Sequence, residues 1–477
     1  MIEEILNYIE GPVRWTVTTL ALIVFLLLVA RRKSSRRKLF EPAIKPGDII
    51  VNWDGRPGGQ IPVEPWMESP EVTAVLAAIT KNGKEARFIG GCVRDAMLRK
   101  PNTDIDLATQ ETPDQVVRLL EEAGIKAVPT GIEHGTVMAV INGQSFEITT
   151  LRKDIKTDGR HAVVEFTLDW KQDAARRDFT FNTLSATPDG MVYDYFNGIQ
   201  DLANRVIRFV GRAPERIEED HLRILRYFRF IATLGMRVES KREFQACIDQ
   251  AGLLRELSAE RIRAELFKIL SSNMLLDIMS LMYQQGVLQI ILPYVISPDK
   301  LRQVHWLETR AMNFASVKPD PLRRLAALVD TDESGVLEIA AALRLSKAEQ
   351  KRLTAMVAPT VDIRWDMSDE DVQAALYTHG ATTVIDLILL NWAAMQVDAI
   401  DTLAEEKNRW LHLVEIADAQ IGQEPTFPLK GQDVLDLGID PGPEISRLLE
   451  QVEAWWLDGG CEANHAACLA ELKSIIQ

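Results

Sequence analysis

Cysteine is scarce in this chain. Only Cys92, Cys247, Cys461 and Cys468 occur in 477 residues, scattered without the spacing of a metal site. They read as reduced, partly buried thiols of a cytoplasmic protein. Histidine is also sparse: seven well-separated residues form no His-rich cluster and no His-Asp dipeptide, which leaves no fused phosphohydrolase domain to propose. Positive charge is in deficit, with a formal net charge of -15, and at first sight this argues against a nucleic-acid partner. The distribution changes that reading. About -14 of the charge falls between Leu301 and Gln477, and the first 300 residues are near neutral. Between Arg205 and Phe230 there are seven arginines against four acidic residues, a local basic surface able to contact phosphates.

Long apolar runs are missing but for Trp15 to Ala30, 16 uncharged residues followed by RRKSSRRK. A spanning helix usually needs about 17 to 25 residues, although flanking side chains can extend it. The basic flank after the run and Glu3, Glu4 and Glu10 before it place the main chain inside the cell. The expectation is a membrane anchor over 1–38 that tethers a cytoplasmic catalytic part to the inner face of a bacterial cell membrane; a peripheral helix is the alternative. Residues 39–69, rich in Gly and Pro, read as a linker. The length of the remainder predicts more than one domain.

Arg87 to Ala108 (RFIGGCVRDAMLRKPNTDIDLA) is the stretch around which the rest of the chain is organised. A short apolar strand turns at Gly90-Gly91. Arg94 and Asp95 open a helix, and a second strand carries Asp104 and Asp106. Alternate strand residues point the same way, so Asp-x-Asp sets two carboxylates on one face. Beside a Gly-Gly turn they make a site for Mg2+ and phosphate. Strands are expected at Thr136 to Ile141 and Ser145 to Leu151. Glu147 in the second stands across the sheet as a third carboxylate, or is an exposed residue of a half-buried strand. Helices are expected over Pro70 to Thr80 and Thr112 to Gly124, and a loop around Asp158 to Arg160, with Arg160 reaching into the site.

Ala175 to Ala186 (ARRDFTFNTLSA) predicts a helix opened by Arg176, Arg177 and Asp178. The arginines suit a triphosphate and Asn182 a ribose or phosphate; a surface ion-pair cluster is the plain alternative. After the Asn197-Gly198 turn an extended basic segment is expected, then one helix over Glu219 to Phe230. Along that helix Asp220, Arg223 and Arg226 fall three apart on one face, and Leu222, Leu225, Phe228 and Ile231 form its buried side. Asp220 and Arg223 either offer an acceptor and a donor fork to a base edge or pair with each other.

The ordered set GGCVRD (Gly90 to Asp95), DID (Asp104 to Asp106), EITTLR (Glu147 to Arg152), RRDFTFN (Arg176 to Asn182) and EDHLR (Glu219 to Arg223) resembles the class II tRNA nucleotidyltransferase and bacterial poly(A) polymerase family of the polymerase-beta superfamily. The resemblance implies an α+β fold: a nucleotidyltransferase head with a mixed β-sheet and helices over 70–205, then an all-α neck over 206–270 and an all-α body and tail over 271–477. It implies two Mg2+ ions on Asp104 and Asp106, with Glu147 as a further candidate ligand. Gly90, Gly91, Arg94 and Asp95 would shape the nucleotide pocket. Arg176, Arg177, Asp178 and Asn182 would contact triphosphate and sugar, Asp220 and Arg223 would select CTP or ATP, and Arg226 would lie in the same nucleotide-binding set. The segment around Asp158 to Arg160 matches a flexible loop involved in switching from C to A. The implied partners are CTP, ATP and the tRNA acceptor arm; poly(A), C-only and A-only addition share the motifs. Lys430 to Ile445 matches the helical C-terminal part of bacterial CCA-adding enzymes. Trp455 and Trp456 read as core packing, with stacking on RNA as the alternative.

Overall fold

The computed structural model describes residues 58–102, 104–157, 162–312, 314–398 and 404–476. The Trp15 to Ala30 run and Arg160 lie outside the described residues. Among those described, no helix is long and apolar enough to cross a membrane. The chain divides into two compact units. Of the described residues, one holds those up to Asp154 and 164–204; the other holds those within 155–163 and those from Arg205 onward.

The first unit is built on an eight-stranded mixed sheet. Its strands are β1 (Gly59–Gln60), β2 (Ala86–Ile89), β3 (Asp106–Thr109), β4 (Lys126–Gly131), β5 (Thr136–Ile141), β6 (Gln144–Thr150), β9 (Ser185–Ala186) and β10 (Met191–Tyr193). Their order across the sheet is β1-β10-β9-β2-β3-β6-β5-β4. The remaining strands before Trp170, β7 (Arg152–Thr157) and β8 (Ala162–Phe166), fall on either side of the 158–161 segment in sequence. β2 is buried along its whole length; Phe88 and Ile89 are apolar, and the buried Arg87 is paired with Glu85 at 2.7 Å. It runs antiparallel to β3, and β3 runs parallel to β6.

Helix α1 (Pro70–Ile79) starts on Ser69, whose hydroxyl accepts from the Val72 amide, with Pro at the first helical position. α2 (Gly91–Met97) follows β2, and α3 (Pro113–Glu122) follows β3 with Thr112 as N-cap residue. α4 (Trp170–Ala175) and α5 (Gly198–Asn204) complete the unit. Three expectations are corrected here. Residues 59–69 are not a linker, because Gly59 and Gln60 pair with β10 and Ile61 and Met67 are buried. Arg176 to Asn182 is no helix. α4 ends at Ala175, Asp178 accepts from the Phe179 amide at 2.8 Å, and one 3-10 turn follows; aspartate competes in this way with helical bonding. The segment after Asn197 is helical, because Asp194 receives the amides of Phe196, Gly198 and Ile199 and so caps α5.

From Arg205 onward the described residues form helices, with the short strands β11 (Val206–Ile207) and β12 (Arg237–Val238) among them. The first of these helices are α6 (Ala213–Glu219), α7 (Arg223–Leu234), α8 (Lys241–Asp249) and α9 (Ala259–Leu270). Further on, a buried ionic network ties the helices together. Arg324 donates to Glu308 at 2.7 Å, Arg323 to Glu308 and Asp386 at 2.8 and 2.7 Å, and Arg352 to Asp386 and Asp320 at 2.8 Å each. Trp456 is buried in a core with Leu448, Val452 and Leu472, whereas Trp455 is 39% exposed. Core packing therefore holds for Trp456 and not for Trp455.

Candidate active site

The short β3 strand places Asp106, whereas Asp104 lies two residues before it and not on the strand expected to carry both. Asp106 opens β3 and pairs with Glu147 of β6 across the parallel ladder, so both side chains leave the sheet on the same face. Asp106 is half-buried, and Asp104 and Glu147 are exposed. Burial, then repulsion from Glu147 and a smaller push from Asp104, raise the Asp106 carboxyl to about 6, although Arg177 opposes them. Such a carboxylate gains most from a nearby cation. No group of three or more His, Cys, Asp or Glu side chains able to hold a metal is gathered among the described residues.

The Gly-Gly turn opens the space beside these acids. Gly90 has φ 64° and ψ -117°, a backbone state that only glycine enters without strain. A Cβ there would sit 3.2 Å from Arg177 Nη1. Past the turn, Arg94 forks onto Asp95 at 2.9 and 2.8 Å and donates to Asn182 Oδ1 at 2.8 Å. Asn182 in turn donates to Asp178 at 2.9 Å. Gly90, Gly91, Arg94, Asp95, Asp178 and Asn182 are thus one connected group.

Arg176 and Arg177 converge on a residue that none of the motifs contains. Asp173, 3% exposed, accepts from Arg176 at 2.9 Å, from Arg177 at 3.1 Å and from the Arg152 amide at 3.3 Å. Burial raises its pKa, but the two arginines more than offset this and hold it below the usual carboxylate range. Arg152 joins them: burial first, then repulsion from Arg176, lowers its guanidinium to about 10. Its Nε is buried without an acceptor. Arg152, Arg176 and Arg177 thus lie within one another's field, a gathering of guanidinium groups that fits a polyphosphate. Arg152 is visible in the sequence as the last residue of its motif. Asp173 carries only its helical spacing of three and four residues before Arg176 and Arg177.

The base-reading candidates lie in the second unit, and here the helical expectation fails. Asp220 is not on the helix of Arg223: its backbone is extended, at φ -154° and ψ 104°, between α6 and α7. Its side chain accepts from the Leu222 amide at 3.1 Å, the capping habit that keeps aspartate out of helix interiors. Nor do the Asp220 and Arg223 side chains pair with each other, although the Arg223 amide donates to the Asp220 carbonyl at 3.1 Å. Arg261 of α9 grips both Asp220 oxygens at 2.9 Å. Arg223, 8% exposed, donates to Glu219 at 2.7 Å and to the Arg216 carbonyl at 2.9 Å. Arg226 lies half-buried with its guanidinium 5.5 Å from the Phe230 ring centre. Leu222, Leu225, Phe228 and Ile231 are buried as expected.

Comparison with known proteins closes the assignment. Residues 86–208 match the poly A polymerase head domain family, and residues 239–297 match a family described as the probable RNA and SrmB-binding site of polymerase A. The human CCA tRNA nucleotidyltransferase 1, mitochondrial, is 34% identical over 418 residues, 85% of this chain and 92% of that protein. The CCA-adding enzyme of Streptococcus gordonii is 31% identical over 411 residues, 85% of this chain and 97% of that one. The crystal structure of the Bacillus stearothermophilus CCA-adding enzyme in complex with CTP matches with a TM-score of 0.65 at 26% identity, covering 86% of this chain and 98% of that one. Carrying the ordered motifs, the α+β head and this likeness over most of its length, the chain belongs to the CCA tRNA nucleotidyltransferase family, and it is a nucleotidyltransferase.

Proposed function

We propose that this enzyme adds CMP and AMP, from CTP and ATP, to the 3' end of tRNA without a nucleic-acid template. The tRNA 3'-hydroxyl attacks the α-phosphorus; the new P–O bond forms as the bond to the β-phosphate oxygen breaks, and pyrophosphate leaves. The observation that carries this reading is the carboxylate edge of β3, with Asp106 in register with Glu147 and in the field of Arg177. Asp104 and Asp106 would hold two Mg2+ ions, with Glu147 as a further candidate ligand. When bound, such ions acidify an attacking hydroxyl and neutralise charge on the leaving group.

The protein's own groups do the rest. Arg152, Arg176 and Arg177 grip the triphosphate, and Asp173 fixes the last two. Arg94 and Asp178 hold Asn182 for the sugar. Asp220 and Arg223 select the base, the first held by Arg261 and the second by Glu219. The deciding experiment supplies purified protein with tRNA lacking its CCA end, and with CTP and ATP separately and together. CCA completion only with both nucleotides is expected. A long A tail on unrelated RNA would instead identify a poly(A) polymerase, and addition of C alone or A alone a specialised enzyme. A membrane tether through Trp15 to Ala30 rests on the sequence of that run; complete release of the protein by a carbonate wash of membranes would overturn it.

A further inference from the structure

The sheet unit contains a cavity that none of the residues above uses. It has a volume of about 550 Å3 and lies between the Gly59–Trp66 segment, the end of α2 and the Arg99–Asn102 loop. This is within the range of about 300 to 1,000 Å3 usual for small-molecule sites. Its floor is apolar: Ile61, Met97, Val192 and Ile199 line it, each at most 7% exposed. Trp66, half-buried and edge-on to Phe88 at 4.8 Å, supplies an aromatic wall. The rim is of different character. Arg99 and Lys100 bring exposed cationic side chains, Glu64 brings a carboxylate, and Asn102 carries a buried side-chain amide nitrogen without an acceptor. Arg99 is also held at φ 51°, a conformation uncommon for a residue with a side chain.

We infer that this cavity binds a nucleoside 5'-monophosphate at a site separate from the carboxylate and arginine cluster. An apolar floor with one indole wall takes a planar aromatic body. A guanidinium at the rim takes a phosphate. Glu64 accepts from an exocyclic amine such as adenine or cytosine carries, and a ligand acceptor offers Asn102 a partner for its amide. A monophosphate fits this rim better than a triphosphate, because among the described residues Arg99 and Lys100 are the basic ones that line it.

Equilibrium dialysis of the full chain against labelled AMP in EDTA tests the assignment. Wild type is expected to bind one AMP per chain. Arg99→Glu, a reversal at an exposed position, and Ala96→Leu, which fills the cavity from α2, should each weaken binding at least tenfold with unfolding temperatures unchanged. Arg177→Ala should bind AMP as wild type does. No binding by wild type at millimolar AMP would overturn the site. So would binding that survives Arg99→Glu but disappears in Arg177→Ala, which places AMP in the catalytic cluster. Equal competition by inorganic phosphate or by adenosine alone would overturn the ligand class. None of these outcomes depends on nucleotide addition.

Discussion

Replacing Asp106 by Asn should stop nucleotide addition and at the same time stabilise the metal-free sheet unit. The Asp106 carboxyl stands near 6 in the folded chain against an ordinary value of 3.8. Where both folded and unfolded forms are ionised, that difference costs the fold about 3 kcal/mol. The sign follows from the raised value. Below pH 3.8 both states are protonated and there is no cost; the cost grows from pH 3.8 to 6 and is complete above 6. Asn keeps the shape and removes the charge, so it relieves the cost at neutral pH only. Hydrogen exchange of the 104–109 segment in EDTA reads this directly. At pH 7.5 the Asp106→Asn variant should open about 100-fold less often than wild type, the factor that corresponds to about 3 kcal/mol. Near pH 4 the difference should vanish. Millimolar Mg2+ should slow wild-type opening at pH 7.5 and leave the variant unmoved. Equal or faster exchange in the variant at pH 7.5 would refute the crowded-carboxylate account, whatever the effect on activity.

Protons compete with metal for the same carboxylate, so the Mg2+ concentration for half-maximal activity should rise about tenfold per pH unit below about 6; a flat profile between pH 6 and 5 would count against Asp106 as a ligand. Arg261→Ala removes a two-pronged, partly exposed contact to Asp220, worth about 1 to 2 kcal/mol after allowance for solvent. It should reduce discrimination of CTP and ATP against UTP and GTP by about 5- to 30-fold, with transfer itself retained; single-nucleotide competition assays measure this. Gly90→Ala must adopt φ 64° and press on Arg177, so KM for the triphosphate should rise by at least fivefold, and an unchanged KM would show that the turn does not shape the pocket. In the helical unit, Asp386→Ala takes a carboxylate from the buried Arg323 and should cost about 3 to 5 kcal/mol, read as a lowered urea midpoint.

The motifs are legible because each is local. A Gly-Gly turn and an amphipathic helix are set by neighbours within a few residues, so Gly90 and the buried face of α7 can be read directly, whereas Asp104 falls outside the strand expected to carry it, because β3 starts only at Asp106. Two errors share one cause. Asp178 and Asp220 sit in stretches of good helical spacing, yet each carboxylate bonds a nearby amide and ends the helical run. Periodicity does not register such a bond.

What the sequence by itself determined is the order of motifs that identifies the family, and with it the nucleotidyltransferase class of reaction. Tertiary structure decided which partner each charge keeps. Glu147 stands beside Asp106 because β6 docks parallel to β3, some 40 residues on, in one register out of several. Asp173 gathers Arg152, Arg176 and Arg177, and Arg261 rather than Arg223 holds Asp220. The physical reason is reach. Propensity and spacing act over a turn or a strand, whereas the field at a half-buried carboxylate depends on chain segments that only packing brings within a few ångströms.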